Sequence, residues 1–167
     1  MLVISPTAQI SKLADIEDSV RGTKITIGEG VFIDAFVKLR VAGGTGDVTI
    51  GPNCYINAGS VLYSGNGITL GEYVLIAANC TLAPTNHEYR DPDVVIRKQG
   101  FAPSRGGIVI EDDVWIGANS VLLDGVRIGR GAVVAAGSVV RGTLPAYSIS
   151  AGNPAKVVKW RKKPTES

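Results

Sequence analysis

From Ile110 onward an aliphatic residue returns every six positions, at Ile110, Ile116, Leu122, Ile128, Val134 and Val140. Neither the 3.6-residue period of a helix nor plain strand alternation produces that spacing. It fits very short strands with a bend after each, wound into a solenoid whose turns stack on one another. The register continues upstream through Ile76 and Leu82, through Ile50, Ile56 and Leu62, through Ile27, Ile33 and Leu39, and more weakly through Ile4, Ile10 and Ile16. The hexads come in threes, and each triplet after the first opens on one phrase: ITIG at Ile25, VTIG at Val48, ITLG at Ile68 and IVIE at Ile108. Three hexads make a triangular coil of roughly eighteen residues, stacked at the ~4.8 Å interstrand spacing.

Each hexad carries the chemistry such a coil needs. The anchor points inward and stacks on the anchor of the next coil, and four positions later comes a compact residue such as Ser60, Ser120, Ala132 or Ser138. Asn53, Gly59, Asn79, Asn119 and Gly137 supply the positive φ that sharp corners require. An ordinary sandwich would set its strands at 8–12-residue spacing and its register would drift. The expectation is one all-β domain over 1–167, a triangular parallel β-helix. A net charge of +2 gives no reason to expect a nucleic-acid partner. The N-terminus shows neither a charged leader nor a long apolar run, so the chain is expected to be cytoplasmic, without membrane insertion. Cys54 and Cys80 fall on different corners and are expected to be small buried thiols, not a disulfide.

A regular solenoid has no pocket, so the interruptions draw attention. Small ones lie at 43–47 and 64–67, and a large one follows Leu82, reading APTNHEYRDPDVVIRKQGFAPSRGG. With Pro84, Pro92 and Pro103 it has to leave the prism as an arm, over 88–107, and long loops on rigid scaffolds commonly carry function. At its root stands His87, the chain's single histidine. Imidazole is the side chain best matched to general-base work near neutral pH.

The phrases TNHEY, DPDVVIRKQG, IEDDVWIGANSVLLDGVRIGRGAVVAAGSVV and SAGNPAKVV resemble those of the hexapeptide-repeat acyltransferases. The resemblance covers nearly the whole chain and is most specific from Ile68 to Val158. It implies a left-handed parallel β-helix, a hand that the spacing itself does not decide, ending in a short tail or helix at 153–167. It also implies acetyl-CoA as acyl donor, no metal, a homotrimer with sites between neighbouring prisms, and a saccharide acceptor of the kind used in surface-polysaccharide assembly. Residue by residue, His87 matches the catalytic base. Asn57 falls where an acceptor contact is expected, although it reads equally well as a left-handed corner asparagine; Ser64, beside the Gly65 that replaces an acidic acceptor contact, and Glu88, next to the base, are the other expected acceptor residues. Trp115, Ala118, Ala136 and Gly137 match positions along the CoA arm. Among Lys156, Lys159, Arg161, Lys162 and Lys163, Lys156 lies inside the matched GNPAK phrase and is favoured for CoA phosphate. Arg141-Gly142 stands where relatives carry a Thr-Lys pair.

Within this reading the main expectation is acetylation of a saccharide hydroxyl, and the alternative is N-acetylation of a nucleotide-linked amino sugar. A γ-type carbonic anhydrase uses the same prism, but its zinc needs three histidines. A non-catalytic β-helix scaffold would have no use for His87 beside a long arm. His87 and Asn57 lie nearly half a perimeter apart in the eighteen-residue frame, with each side up to roughly 20 Å long. If both are functional, they must meet across a subunit interface.

Overall fold

The structure, a computed structural model, describes residues 1–19 and 21–162. The hexads become strands of two or three residues, because the inward anchor and its outward neighbours are the only extended positions between corners. These strands form three parallel sheets in which every third strand pairs, the pattern of a triangular solenoid. Sheet A holds Leu2–Ile4, Ile25–Ile27, Val48–Ile50, Ile68–Leu70, Ile108–Ile110, Arg127–Ile128 and Thr143–Leu144. Sheet B holds Gln9–Ile10, Phe32–Ile33, Tyr55–Ile56, Leu75–Ile76, Trp115–Ile116, Val133–Val134 and Ser148–Gly152, with Ala155–Trp160 added at its end. Sheet C holds Asp15–Ile16, Lys38–Arg40, Val61–Tyr63, Thr81–Ala83, Val121–Leu123 and Val139–Val140.

Register makes the core. Ile50 pairs with Leu70 and Leu70 with Ile110; Ile56 pairs with Ile76 and Ile76 with Ile116; Leu82 pairs with Leu62 and Leu122. Each of these anchors is at most 1% exposed, so like side chains stack into continuous apolar columns. The first coil is looser, with Ile4 still 42% exposed, in keeping with its weaker repeat. Corners between sheets A and B bend at Gly30, Asn53, Tyr73, Asp113, Gly131 and Tyr147, and those between B and C at Phe36, Gly59, Asn79, Asn119 and Gly137, all with positive φ. The serines beside the corners bond inward: Ser60, Ser120 and Ser138 donate to the carbonyls of Ala77, Gly117 and Ala135 at 3.0, 2.7 and 2.6 Å. Cys54 and Cys80 are free and buried.

All three interruptions emerge at the corner from sheet C to sheet A and lie over one another. A Cβ on Gly46 would sit 2.1 Å from the Gly67 nitrogen, so only glycine allows these loops to stack backbone on backbone. The C-terminal expectation needs correcting. Ala155–Trp160 is no helix; it turns at a cis Asn153–Pro154 bond and runs antiparallel to Ser148–Gly152. Sheet B ends in an open row of backbone donors and acceptors there, and the returning strand pairs with it. Residues 163–167 of the expected tail, Lys163 among them, lie outside the described residues. Among the described residues no helix is long and apolar enough to cross a membrane.

Candidate active site

His87 lies five residues beyond the last anchor of its coil, where the chain leaves sheet C. The arm is a folded hairpin. The Glu88 N–H donates to the Gly100 carbonyl at 3.0 Å and the Ala102 N–H to the Asn86 carbonyl at 2.9 Å, which places His87 opposite Phe101. One helical turn, Ile96–Gln99, closes the tip. The Gln99 amide fastens it by donating to the carbonyls of Asp91 and Val94 at 2.8 and 2.7 Å.

The His87 Nδ1 is 3.3 Å from the Gly100 carbonyl, and the ring stacks on Phe101 with centroids 5.0 Å apart. A carbonyl can only accept, so this contact requires the proton on Nδ1 and leaves the Nε2 lone pair free. His87 lines two cavities. One, of about 300 Å³, is lined by Ala42, Gly43, Tyr63, Ala83, Thr85 and Phe101. The other, of about 580 Å³, includes Tyr89, Ile96, Leu123, Arg105 and Arg141. The first is mostly apolar, whereas the second presents two guanidinium groups.

The other expected acceptor residues fare differently. Glu88 sits next to the base, but its carboxylate is bound bidentately by Arg90 and accepts the backbone N–H groups of Tyr89 and Arg90. The Arg90 side chain first, and those backbone donors second, hold its carboxyl down at about 2. Ser64 does not line the site. Strand alternation after the inward Leu62 turns Tyr63 outward and Ser64 inward, where it is fully buried with no hydrogen-bond partner. Asn57 lies at the B–C corner on another side of the prism, and its amide donates to the Ile76 carbonyl at 2.8 Å. It is not the left-handed residue of its corner; Gly59 is, at φ 72°.

The residues expected along the CoA arm come together on sheet B. Leu75, Trp115, Val133 and Ile149 pair in one outward column. They floor a groove of about 1000 Å³ with Ala118 and Ala136 on its B–C rim and Tyr73 and Asp113 on the other. Trp115 is half exposed, and Gly137 sits at the exposed corner beside Ala136. Lys156 is exposed but does not line the groove. Lys159 and Arg161 do, because the antiparallel return carries them past its far end. Arg161 is held there by Asp113 at 3.1 Å and the Gly131 carbonyl at 2.7 Å. Tyr63, Thr85, Phe101 and Arg105 were not singled out from the sequence. The outward slot one past an anchor marks Tyr63, whereas Phe101 depends on how the arm folds back.

Comparison with known proteins agrees with this architecture. The model described as "Bacterial transferase hexapeptide (six repeats)" matches residues 107–142, and "Hexapeptide repeat of succinyl-transferase" matches 47–84. A 2,3,4,5-tetrahydropyridine-2,6-dicarboxylate N-acetyltransferase of Staphylococcus aureus is 58% identical over 57 residues, 34% of this chain. That match spans only 24% of the curated relative's length. A mutant of AntD, an N-acyltransferase from Bacillus cereus, in complex with dTDP-4-amino-4,6-dideoxyglucose and coenzyme A is 30% identical. It covers 97% of this chain and 84% of its own, with a TM-score of 0.80. A hexapeptide-repeat containing acetyltransferase of Vibrio cholerae O1 biovar eltor, complexed with acetyl coenzyme A, is 33% identical over 82% of this chain and 71% of its own, with a TM-score of 0.70. With a hexad register unbroken from sheet to sheet and these relatives spanning most of its length, the chain belongs to the hexapeptide-repeat transferases and has their left-handed parallel β-helix fold.

Proposed function

We propose that this protein transfers an acetyl group from acetyl-CoA to the amino group of a nucleotide-linked sugar, with His87 as general base. The observation that carries the chemistry is the Nδ1 contact to the Gly100 carbonyl, which leaves Nε2 as acceptor on a ring that lines two cavities. The attacking amine gives its proton to Nε2 as its nitrogen bonds to the thioester carbonyl carbon. The tetrahedral intermediate then collapses, the C–S bond breaks, and the imidazolium returns the proton to the departing thiolate. The nitrogen acceptor is favoured over the saccharide hydroxyl expected from the sequence because AntD, similar along almost the full chain, is an N-acyltransferase held with a dTDP-linked amino sugar.

Acetyl-CoA would lie along the Trp115 groove with its phosphates towards Lys159 and Arg161. That groove is on sheet B, whereas His87 of the same chain stands beyond sheet C. The reaction therefore takes place between copies: a neighbouring prism in a trimer brings its His87 and arm to the groove. The test is release of CoA from acetyl-CoA on addition of dTDP- or UDP-linked amino sugars, against the same sugars with hydroxyl in place of amine. Turnover confined to the amines supports the reading. Turnover of the hydroxyl sugars alone restores O-acetylation, and no acetyl transfer to either class sinks the proposal.

A further inference from the structure

We propose that Asp124 is a positioning residue that sets the catalytic tautomer of His87 by clasping the outgoing limb of the arm; its catalytic consequence rests on the function proposed above. Among the described residues Asp124 is the one charged side chain that is buried, 2% exposed. It occupies the inward slot two past the anchor Leu122. The same slot in other coils holds Val41, Ser64, Pro84 and Gly142, and the Asp18 of the first coil is exposed to solvent, so the prism itself has no need of a buried acid there. A carboxylate is costly to bury unless its oxygens are bonded.

Both oxygens are used, and both partners belong to the corner excursions. Asp124 Oδ2 accepts the Arg105 backbone N–H at 2.8 Å, and Oδ1 accepts the Asn66 amide at 3.3 Å. The Arg105 guanidinium returns to the same residue, donating to the Asp124 carbonyl at 2.8 Å with its Nε 3.7 Å from Oδ2. The next residue completes the grip, the Gly125 N–H donating to the Gly106 carbonyl at 3.0 Å. Gly125 is needed there: its φ is 77°, and a Cβ would stand 2.9 Å from the Arg105 Cβ.

From this clasp to the histidine the path is short. Residues 105 and 106 are fixed to the coil, Pro103 stiffens the link, and Ala102 is bonded to Asn86. Gly100 and Phe101 follow directly, and they supply the hydrogen-bond acceptor and the stacking ring of His87. The limb has little slack. Releasing 105–106 leaves Gly100 and Ala102 tied only by their bonds to Glu88 and Asn86, so that the Gly100 carbonyl can drift from Nδ1 and the ring revert towards the Nε2–H form, which cannot act as the base.

The experiment uses the single histidine as its own reporter. Histidine-labelled ¹⁵N protein, wild type and Asp124→Ala, is examined by NMR with the ring in its neutral form. The wild type is expected to show one protonated Nδ1 and a bare Nε2; Asp124→Ala is expected to show a mixture. With acetyl-CoA and a confirmed acceptor, kcat should fall roughly tenfold, since small misplacements of a catalytic group are costly, while KM for acetyl-CoA stays within about twofold because the groove is untouched. An unchanged tautomer in the variant overturns the proposal whatever the activity, as does a changed tautomer with wild-type kcat. If the wild type transfers no acetyl group, the proposed function fails while the tautomer still decides the clasp. Should Asp124→Ala not fold, Asp124→Leu keeps the corner filled without an acceptor for the Arg105 N–H and is read against the same outcomes.

Discussion

At the scale of single residues, three side chains make separable predictions. His87→Ala removes the only free imidazole nitrogen from the two cavities. Its turnover should fall by roughly 10²–10⁴, the usual worth of a general base, with acetyl-CoA affinity kept; calorimetry alongside kinetics checks both. Tyr73 holds a corner at φ 56° where equivalent positions carry Asn53 or Asp113, and it is 62% exposed. A bulky L-residue pays roughly 1–2 kcal/mol for that conformation. Tyr73→Asn should therefore stabilise the fold by about 1 kcal/mol in denaturant titration, a gain a buried aromatic would not give. Burial pushes the Cys54 thiol up to about 11 from 9.0. It stays protonated near neutrality and should resist alkylation in native protein while reacting once unfolded. Above pH 9 the unfolded chain ionises this thiol first, so stability drains as the pH rises towards 11.

At the scale of elements, two-residue strands are too short to persist alone, and their order comes from stacking. Ile116 is buried between Ile76 and Val134 in the anchor column of sheet B. Ile116→Ala should cost about 2–5 kcal/mol, read as a lowered denaturation midpoint. Because each coil contacts only its neighbours, hydrogen exchange should quicken first in the coils on either side. A uniform rise across all sheets would argue against that one-dimensional cooperativity. The arm follows another rule, since its helical turn buries no residue and its hairpin is fixed by polar contacts at the base. Its position thus depends on a few bonds, among them those from Glu88, Ala102 and Arg105.

At the scale of the whole molecule, the proposed base and groove lie on different sides of one prism, so the proposed active site would need a second copy. Refolding a mixture of His87→Ala and a groove variant such as Trp115→Arg tests this directly. Each variant alone should be inactive. At equal proportions about a quarter of all sites, one in each mixed trimer, should regain activity, because such a site joins an intact histidine to an intact groove. No recovery from mixed trimers would place the whole reaction within a single chain.

The six-residue period alone determined the solenoid, its inward columns and the corner where the arm departs, because an anchor every six residues has only one way to bury itself. It also marked His87 and Trp115, the one by its uniqueness at a break in the repeat, the other as a large ring on an outward slot. Strand alternation could have shown that Ser64 turns inward while Tyr63 faces the cavity. The tertiary structure alone decided that Lys159 and Arg161, not Lys156, border the groove. That outcome depends on the chain reversing at Gly152–Ala155 to satisfy the open edge of sheet B. It alone paired Gly100 and Phe101 with His87, and Asp124 with Arg105. The first two contacts join residues 13 and 14 positions apart across an irregular loop, and the third ties the end of that loop to the coil 19 positions on. An irregular loop has no period, so its partners are fixed only when it folds back on the prism.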